Sequence, residues 1–234
     1  MKKGSAPWSK GKPMAFQDLL ISEIFHSLQG ETSLSGVPFA FIRLTGCNLR
    51  CTYCDTTYSF KGGKKIRISE VLDIIQPFQV KHALITGGEP LIQRQTPALL
   101  QALVEANYQV SIETHGELPI GSVVEKARII LDIKTPSSGM CRGGFEKNLP
   151  LLKPTDEVKF VIASENDYHW AKSWLPKIRT HEILFSAANP AQNSPGQFSA
   201  VSPTWLAEQI LKDKLPVRLQ VQLHKILWGN QRGV

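Results

Sequence analysis

From Leu20 onward, short apolar runs alternate with stretches of helical periodicity, and no other feature restricts the fold as much. The runs Leu20–Phe25, Phe39–Leu44, His82–Thr86, Gln109–Glu113, Arg128–Ile133, Glu157–Ala163, Glu182–Ser186 and Arg218–Leu223 read as strands. Between them the spacing predicts helices over Ser69–Gln76, Thr96–Asn107, Glu165–Trp174 and Pro203–Lys212. Ser69 is the expected cap of the first helix, whose apolar face is Val71, Leu72 and Ile75. Strand and helix in alternation describe βα units around one mostly parallel sheet. A closed eight-fold barrel takes about 250 residues. This chain has 234, and its Lys-, Gly-, Ser- and Pro-rich residues 1–18 read as a flexible tail. The expectation is therefore an α/β fold over residues 19–234, a partial (β/α) barrel with an open mouth.

Residues able to do chemistry follow the strands. Cys47 comes after Phe39–Leu44, Gly87 after Ala83–Ile85, His115 after Val110–Ile112 and Lys134 after Ile129–Ile133. In parallel βα sheets the site assembles at the C-terminal edge, so these residues are expected to share one mouth. Hydrophobic content of 42% with 20% charged residues is that of an ordinary globular protein. No apolar run approaches the roughly eighteen residues of a membrane span, and the lysine-bearing N-terminus lacks the apolar centre of a secretory leader. Four cysteines, three of them clustered, make no disulfide framework, and a cytoplasmic location is expected. The net charge of +7 is spread along the chain with no dense basic and aromatic stripe, so a solvated surface is expected and no nucleic-acid partner.

The cysteines sit in Gly46-Cys47-Asn48-Leu49-Arg50-Cys51-Thr52-Tyr53-Cys54-Asp55-Thr56. Three thiolates this close suit zinc or an iron–sulfur cluster, and the one further cysteine, Cys141, has no partner ligand beside it. A three-ligand site leaves a metal position open, which belongs to a reactive centre more than to a structural one. A zinc knuckle short of a ligand, or a set of redox thiols, remains an alternative on spacing alone. Further on, Thr86-Gly87-Gly88-Glu89-Pro90 ends an apolar run, and its glycines allow close approach of backbone to a ligand. The C-x3-C-x2-C spacing followed by a GGEP segment resembles the radical S-adenosylmethionine (SAM) superfamily. That resemblance implies a [4Fe–4S] cluster on three cysteines, with SAM on the fourth iron.

Other segments narrow the substrate. Ser27-Leu28-Gln29-Gly30-Glu31 is a strand end and glycine turn carrying an amide and a carboxylate, equally suited to a flat heterocycle or to capping its own loop. Arg43, near the end of its strand, either pairs internally or faces an anionic ligand such as a carboxylate. Asp55-Thr56 offers oxygens to a hard cation such as Mg2+, or forms a simple turn. Together with Phe41-Ile42-Arg43-Leu44-Thr45-Gly46-Cys47-Asn48-Leu49, Asp132-Ile133-Lys134-Thr135-Pro136-Ser137-Ser138-Gly139 and Gln222-Leu223-His224-Lys225, these segments closely resemble the 7-carboxy-7-deazaguanine synthases of queuosine and deazapurine biosynthesis. The likeness spans Leu20 to about Gly229. Thr32-Ser33 departs from the family, which often has glycine after Glu31.

The resemblance implies roles. Cys47, Cys51 and Cys54 would hold the cluster and Thr56 a Mg2+ ion. Tyr53, Asp55, Gly88, Asp132, Ile133 and Lys134 would border SAM. Leu28, Gln29, Gly30, Arg43 and Thr86 would bind the substrate, 6-carboxy-5,6,7,8-tetrahydropterin, with Arg43 on its carboxylate. No residue is assigned as catalytic, because cluster and SAM carry the radical chemistry that ends in ring contraction and loss of ammonia. An external electron donor such as a flavodoxin, and a homodimer, are implied as partners. His115 and Cys141 are expected to be packed or solvent-facing. An activase installing a glycyl radical on a partner protein shares the cluster motifs, but Gln29-Gly30-Glu31 and Pro136-Ser137-Ser138-Gly139 favour the synthase. A zinc-bound RNA-associated module would want a fourth ligand and a basic aromatic patch, and neither is visible.

Overall fold

The computed structural model describes residues 18–189 and 200–234. The tail expected over 1–18 lies outside them, apart from Asp18, where the first strand begins. The elements are β1 (Asp18–Leu28), β2 (Pro38–Leu44), β3 (Lys64–Arg67), α1 (Ile68–Ile75), β4 (His82–Gly87), α2 (Thr96–Glu105), β5 (Gln109–Thr114) and β6 (Arg128–Ile133). They continue as β7 (Glu157–Ile162), α3 (Glu165–Trp174), β8 (Glu182–Ala187), α4 (Pro203–Asp213), β9 (Arg218–Gln220) and α5 (Leu223–Trp228). The strands form one sheet in the order β3-β1-β2-β4-β5-β6-β7-β8-β9. β1 runs antiparallel to both β2 and β3, and every pairing from β2 through β4 to β9 is parallel. No ladder joins β3 to β9 among the described residues, so the barrel stays open, as expected.

Two-residue alternation decides what each face of the sheet carries. Ala40, Ile42 and Leu44 of β2, Ala83 and Ile85 of β4, Leu131 and Ile133 of β6, and Val158, Phe160 and Ile162 of β7 point to the helix side. There they form the main core with Val71, Leu99, Leu103, Tyr168 and Leu206 from α1 to α4. The residues between them point the other way. Arg43, Thr86, Glu113, Asp132 and Lys159 thus face one cavity from β2, β4, β5, β6 and β7. Helices seal one face, and the chemistry collects on the other.

Three local expectations are corrected. β3 was not foreseen, because Lys64-Lys65-Ile66-Arg67 has no apolar pattern; it is a strand through its ladder to Asp18–Ile21 of β1. The strand expected over Arg218–Leu223 stops at Gln220, and Leu223 opens α5. Ser69 does not cap α1: the cap position is Arg67, whose backbone N–H donates to the Glu70 carboxylate at 3.1 Å. Across the mouth, the β1–β2 loop reaches the far side of the sheet. Ser33 Oγ donates to Glu157 at 2.5 Å, and the Leu223 N–H donates to the Gly30 carbonyl at 2.9 Å. No helix among the described residues is long and apolar enough to cross a membrane.

Candidate active site

At the C-terminal edge of the parallel strands lies a cavity of about 230 Å³. One wall is the loop after β2. Cys47, Cys51 and Cys54 all line the cavity, and none is in a disulfide. Burial pushes the Cys47 thiol up and the Cys51 thiol up to about 11, so both hold their protons at neutral pH until a metal displaces them. Among the described residues no group of three His, Cys, Asp or Glu side chains converges on a single metal-ion position. A [4Fe–4S] cluster gives each cysteine its own iron, so its ligands surround a cube and need not meet at a point. Three free cysteines around one cavity therefore fit that group.

The loop is held from three directions. Leu49 is buried, and its N–H donates to Cys47 Sγ at 3.4 Å. Thr52 donates from its N–H to the Ser138 carbonyl at 3.0 Å and from Oγ1 to the Ser137 carbonyl at 2.7 Å, which gives the Pro136–Gly139 segment a structural purpose. From β4, Gly88 lies so close that a Cβ there would press into the Gly46 carbonyl and sit 2.8 Å from Cys47 Cβ. The next residue, Glu89, is fully buried and takes hydrogen bonds from the Leu91 and His115 N–H groups and from Thr114 Oγ1. Glu89 is a strut between the ends of β4 and β5, while Gly88 faces the cavity.

The floor of the cavity is charged. Lys159 Nζ lies 2.6 Å from Glu31, 2.6 Å from Glu113 and 3.1 Å from Asp132. Asp132 also meets Lys134 Nζ at 3.1 Å. Burial alone would raise the Asp132 carboxyl, but Lys134 and Lys159 outweigh it and hold it well below the usual carboxylate range. For Glu31 burial also pushes upward, and Lys159 again brings the net shift down. Burial would likewise discharge Lys159, yet Asp132, Glu113 and Glu31 keep it protonated far beyond neutral pH. Lys159 and Glu113 were not singled out from sequence. The available signal is a charged residue inside an otherwise apolar strand, Glu113 in β5 and Lys159 in β7, on the face opposite the core.

The remaining wall joins β1, β2 and α5. Gln29 caps its own loop, its Oε1 accepting the Glu31 N–H at 3.1 Å, while its buried Nε2 has no partner among the described residues. Arg43 pairs internally, donating from Nε to Glu23 at 2.6 Å, and its side chain lines the cavity. Tyr58 donates to the same Glu23 oxygen at 2.8 Å. Asp55 pairs with Lys225 at 2.8 Å, and Gln222 donates to Glu31 at 2.7 Å, so the Gln222–Lys225 segment closes onto the site. Thr56 stands at the head of a short 3-10 turn (Thr57–Phe60) without a side-chain capping bond, its Oγ1 3.8 Å from Cys54 Sγ. Leu28, Tyr53 and Thr86 also line the cavity, but Ile133, between Asp132 and Lys134, is fully buried in the core and does not line it. His115 is packed, as expected, yet lines the cavity; Cys141 is half-buried. Thr32 has φ +67°, so the departure from glycine keeps the left-handed turn that glycine favours.

Gly30 leaves no room for a side chain, because a Cβ there would run into the His224 ring. Replacing Gly30 by alanine is expected to displace His224 and break the Gly30–Leu223 hydrogen bond. Faster hydrogen exchange over α5, with exchange in β4 and β6 unchanged, is the expected result.

Comparison with known proteins fits this geometry. Residues 41–137 match the radical SAM superfamily model. A 7-carboxy-7-deazaguanine synthase from Chlorobaculum tepidum is 44% identical over 223 residues, covering 92% of this chain and 97% of that protein. Another from Koribacter versatilis is 40% identical, covering 89% and 96%. The crystal structure of QueE from Escherichia coli aligns with a TM-score of 0.68 over 91% of this chain and 99% of that one; at 21% identity it supports the fold alone. On this extent and identity of match, the chain belongs to the 7-carboxy-7-deazaguanine synthase family of radical SAM enzymes.

Proposed function

We propose that this chain converts 6-carboxy-5,6,7,8-tetrahydropterin to 7-carboxy-7-deazaguanine with loss of ammonia. The observation that carries the reading is the meeting of every family segment on one cavity: the cysteine loop on one wall, Gln29–Glu31 and Arg43 on the other. The synthase name of the relatives favours this reaction over the glycyl-radical activase. The [4Fe–4S] cluster and SAM, when bound, supply the hydrogen-abstracting chemistry. The protein holds, orients and shields the reactants.

Cys47, Cys51 and Cys54 hold the cluster. Gly88, Tyr53, Asp55, Asp132, Lys134 and the Ile133 backbone border SAM. Arg43 meets the substrate carboxylate with the guanidinium nitrogens that Glu23 does not occupy, and Thr56 offers its hydroxyl to Mg2+. Leu28, Gln29, Gly30 and Thr86 contact the pterin, the unpartnered Gln29 Nε2 donating to a ring acceptor. Lys159 pairs with Glu31, Glu113 and Asp132 and keeps the Glu31 and Asp132 carboxylates charged in a site onto which Gln222–Lys225 closes. The enzyme works in the cytoplasm as a homodimer and takes electrons from an external donor such as a flavodoxin.

The test is steady-state kinetics of Arg43→Ala and Arg43→Lys. A lost bidentate contact to a buried carboxylate is worth about 2–3 kcal/mol, so KM for the substrate should rise roughly 30- to 150-fold in the alanine variant. KM for SAM should stay constant, with partial recovery in Arg43→Lys. An unchanged substrate KM in Arg43→Ala would remove Arg43 from the substrate site.

A further inference from the structure

The cysteine loop has a tie that none of the assigned roles uses. His115, at the C-terminal end of β5, is 5% exposed, and its ring reaches across to Asn48, the residue after Cys47. Its Nδ1 accepts the backbone N–H of Glu117 at 3.0 Å, so the ring proton sits on Nε2. Nε2–H therefore donates, 2.9 Å to Asn48 Oδ1 with Glu89 Oε2 also at 3.2 Å. A backbone donor on one ring nitrogen thus fixes the tautomer and, with it, which end of the Asn48 amide faces the histidine.

Asn48 is exposed and otherwise unconfined, while Leu49 beside it is buried. These two anchors set the plane of the 48–49 peptide, which aims the Leu49 N–H at Cys47 Sγ. Hydrogen bonds to the sulfurs of a cluster are among the factors that set its reduction potential. An N–H donor stabilises the added negative charge of the reduced form, so it raises the potential.

We propose that His115 is a positioning residue that, through Asn48, holds the Cys47–Leu49 turn and thereby raises the reduction potential of the cluster. This rests on the reading that Cys47, Cys51 and Cys54 carry a [4Fe–4S] cluster. The tie gives the enzyme a cluster more easily reduced than the bare loop would hold, without a further ligand. His115 touches neither cysteine nor substrate in this account. It acts through the amide of Asn48.

The test is an anaerobic redox titration of the reconstituted full chain, read by absorbance and by electron paramagnetic resonance of the reduced cluster. Wild type, Asn48→Ala, His115→Ala, His115→Gln and the Asn48→Ala/His115→Ala double variant are compared. Asn48 is exposed, so its truncation tests the link even if His115→Ala fails to fold. Expected are a negative shift of midpoint and an altered reduced-state spectrum in Asn48→Ala and His115→Ala, and no larger shift in the double variant. His115→Gln, whose amide N–H can replace Nε2–H, is expected to recover most of the shift. A midpoint and spectrum in Asn48→Ala identical to wild type would overturn the proposal. So would a change confined to the KM for SAM, which would make His115 a cosubstrate contact. Absence of any cluster absorbance in the wild type would instead remove the cluster reading, and this inference with it.

Discussion

Replacing Lys159 by methionine is expected to destabilise the protein by about 3–5 kcal/mol, the range for removing one partner of a buried ion pair. The single ammonium lies within 3.1 Å of three carboxylates, and Lys134 reaches only one of them, Asp132. Methionine fills much of the same volume, so the loss is electrostatic and not a cavity. The pH dependence separates the two causes. In the wild type Glu31 and Asp132 sit below their ordinary pKa values, so their contribution is present above about pH 5 and is lost as pH falls through the depressed values. Lys159 sits above its ordinary value, so its contribution holds until pH rises past the usual lysine range. Without Lys159, burial dominates Glu31 and moves its carboxyl upward. The folded variant then takes up protons more readily than the unfolded chain, and its deficit against wild type shrinks as the solution is acidified. Urea unfolding at about pH 7.5 and about pH 5 should show the smaller difference at the lower pH. A difference under about 1 kcal/mol at both would mean that the cluster of charges is solvated and worth no more than a surface pair.

Changing Cys51 to alanine is expected to abolish product formation outright while leaving the fold intact. Cys51 is only partly buried and lies in a loop held by Leu49, Thr52 and Gly88, none of which needs its sulfur. Thermal unfolding of the iron-free variant should therefore match that of iron-free wild type within a few degrees, since about 1 kcal/mol moves Tm by roughly 2–4 °C in a chain of this size. The reconstituted variant should lose the brown cluster absorbance and all cleavage of SAM. Retention of both would mean that Cys51 is not a ligand.

Much of this architecture was legible because strands with strong patterns carry their own evidence. Ala40-Phe41-Ile42-Arg43-Leu44 and Ile129–Ile133 are apolar enough to be buried on both faces, and α3 carries a local start signal in Ser164, whose side chain accepts the Asp167 N–H. β3 was illegible for the opposite reason, since Lys64-Lys65-Ile66-Arg67 becomes a strand only when β1 lies beside it. α5 is short, and its apolar residues Ile226 and Leu227 are exposed, so no buried face marks it in the sequence. At the site, motif residues were legible by spacing, and residues that act on them were not. Glu23 reaches Arg43 through the antiparallel β1–β2 register, and Lys159 reaches Glu31 over 128 positions of sequence. Such partners are set by strand register and by the curvature of the sheet, which no local pattern encodes. Ile133 shows the converse: it lies inside a motif, yet strand alternation turns its side chain into the core.

The most direct test of the central claim is an anaerobic assay of the iron-reconstituted chain with dithionite, SAM, Mg2+ and 6-carboxy-5,6,7,8-tetrahydropterin, followed by mass spectrometry. A new species with the mass of 7-carboxy-7-deazaguanine is expected, dependent on SAM and absent in Cys51→Ala. Cleavage of SAM without that species would contradict the substrate and leave only the radical chemistry standing.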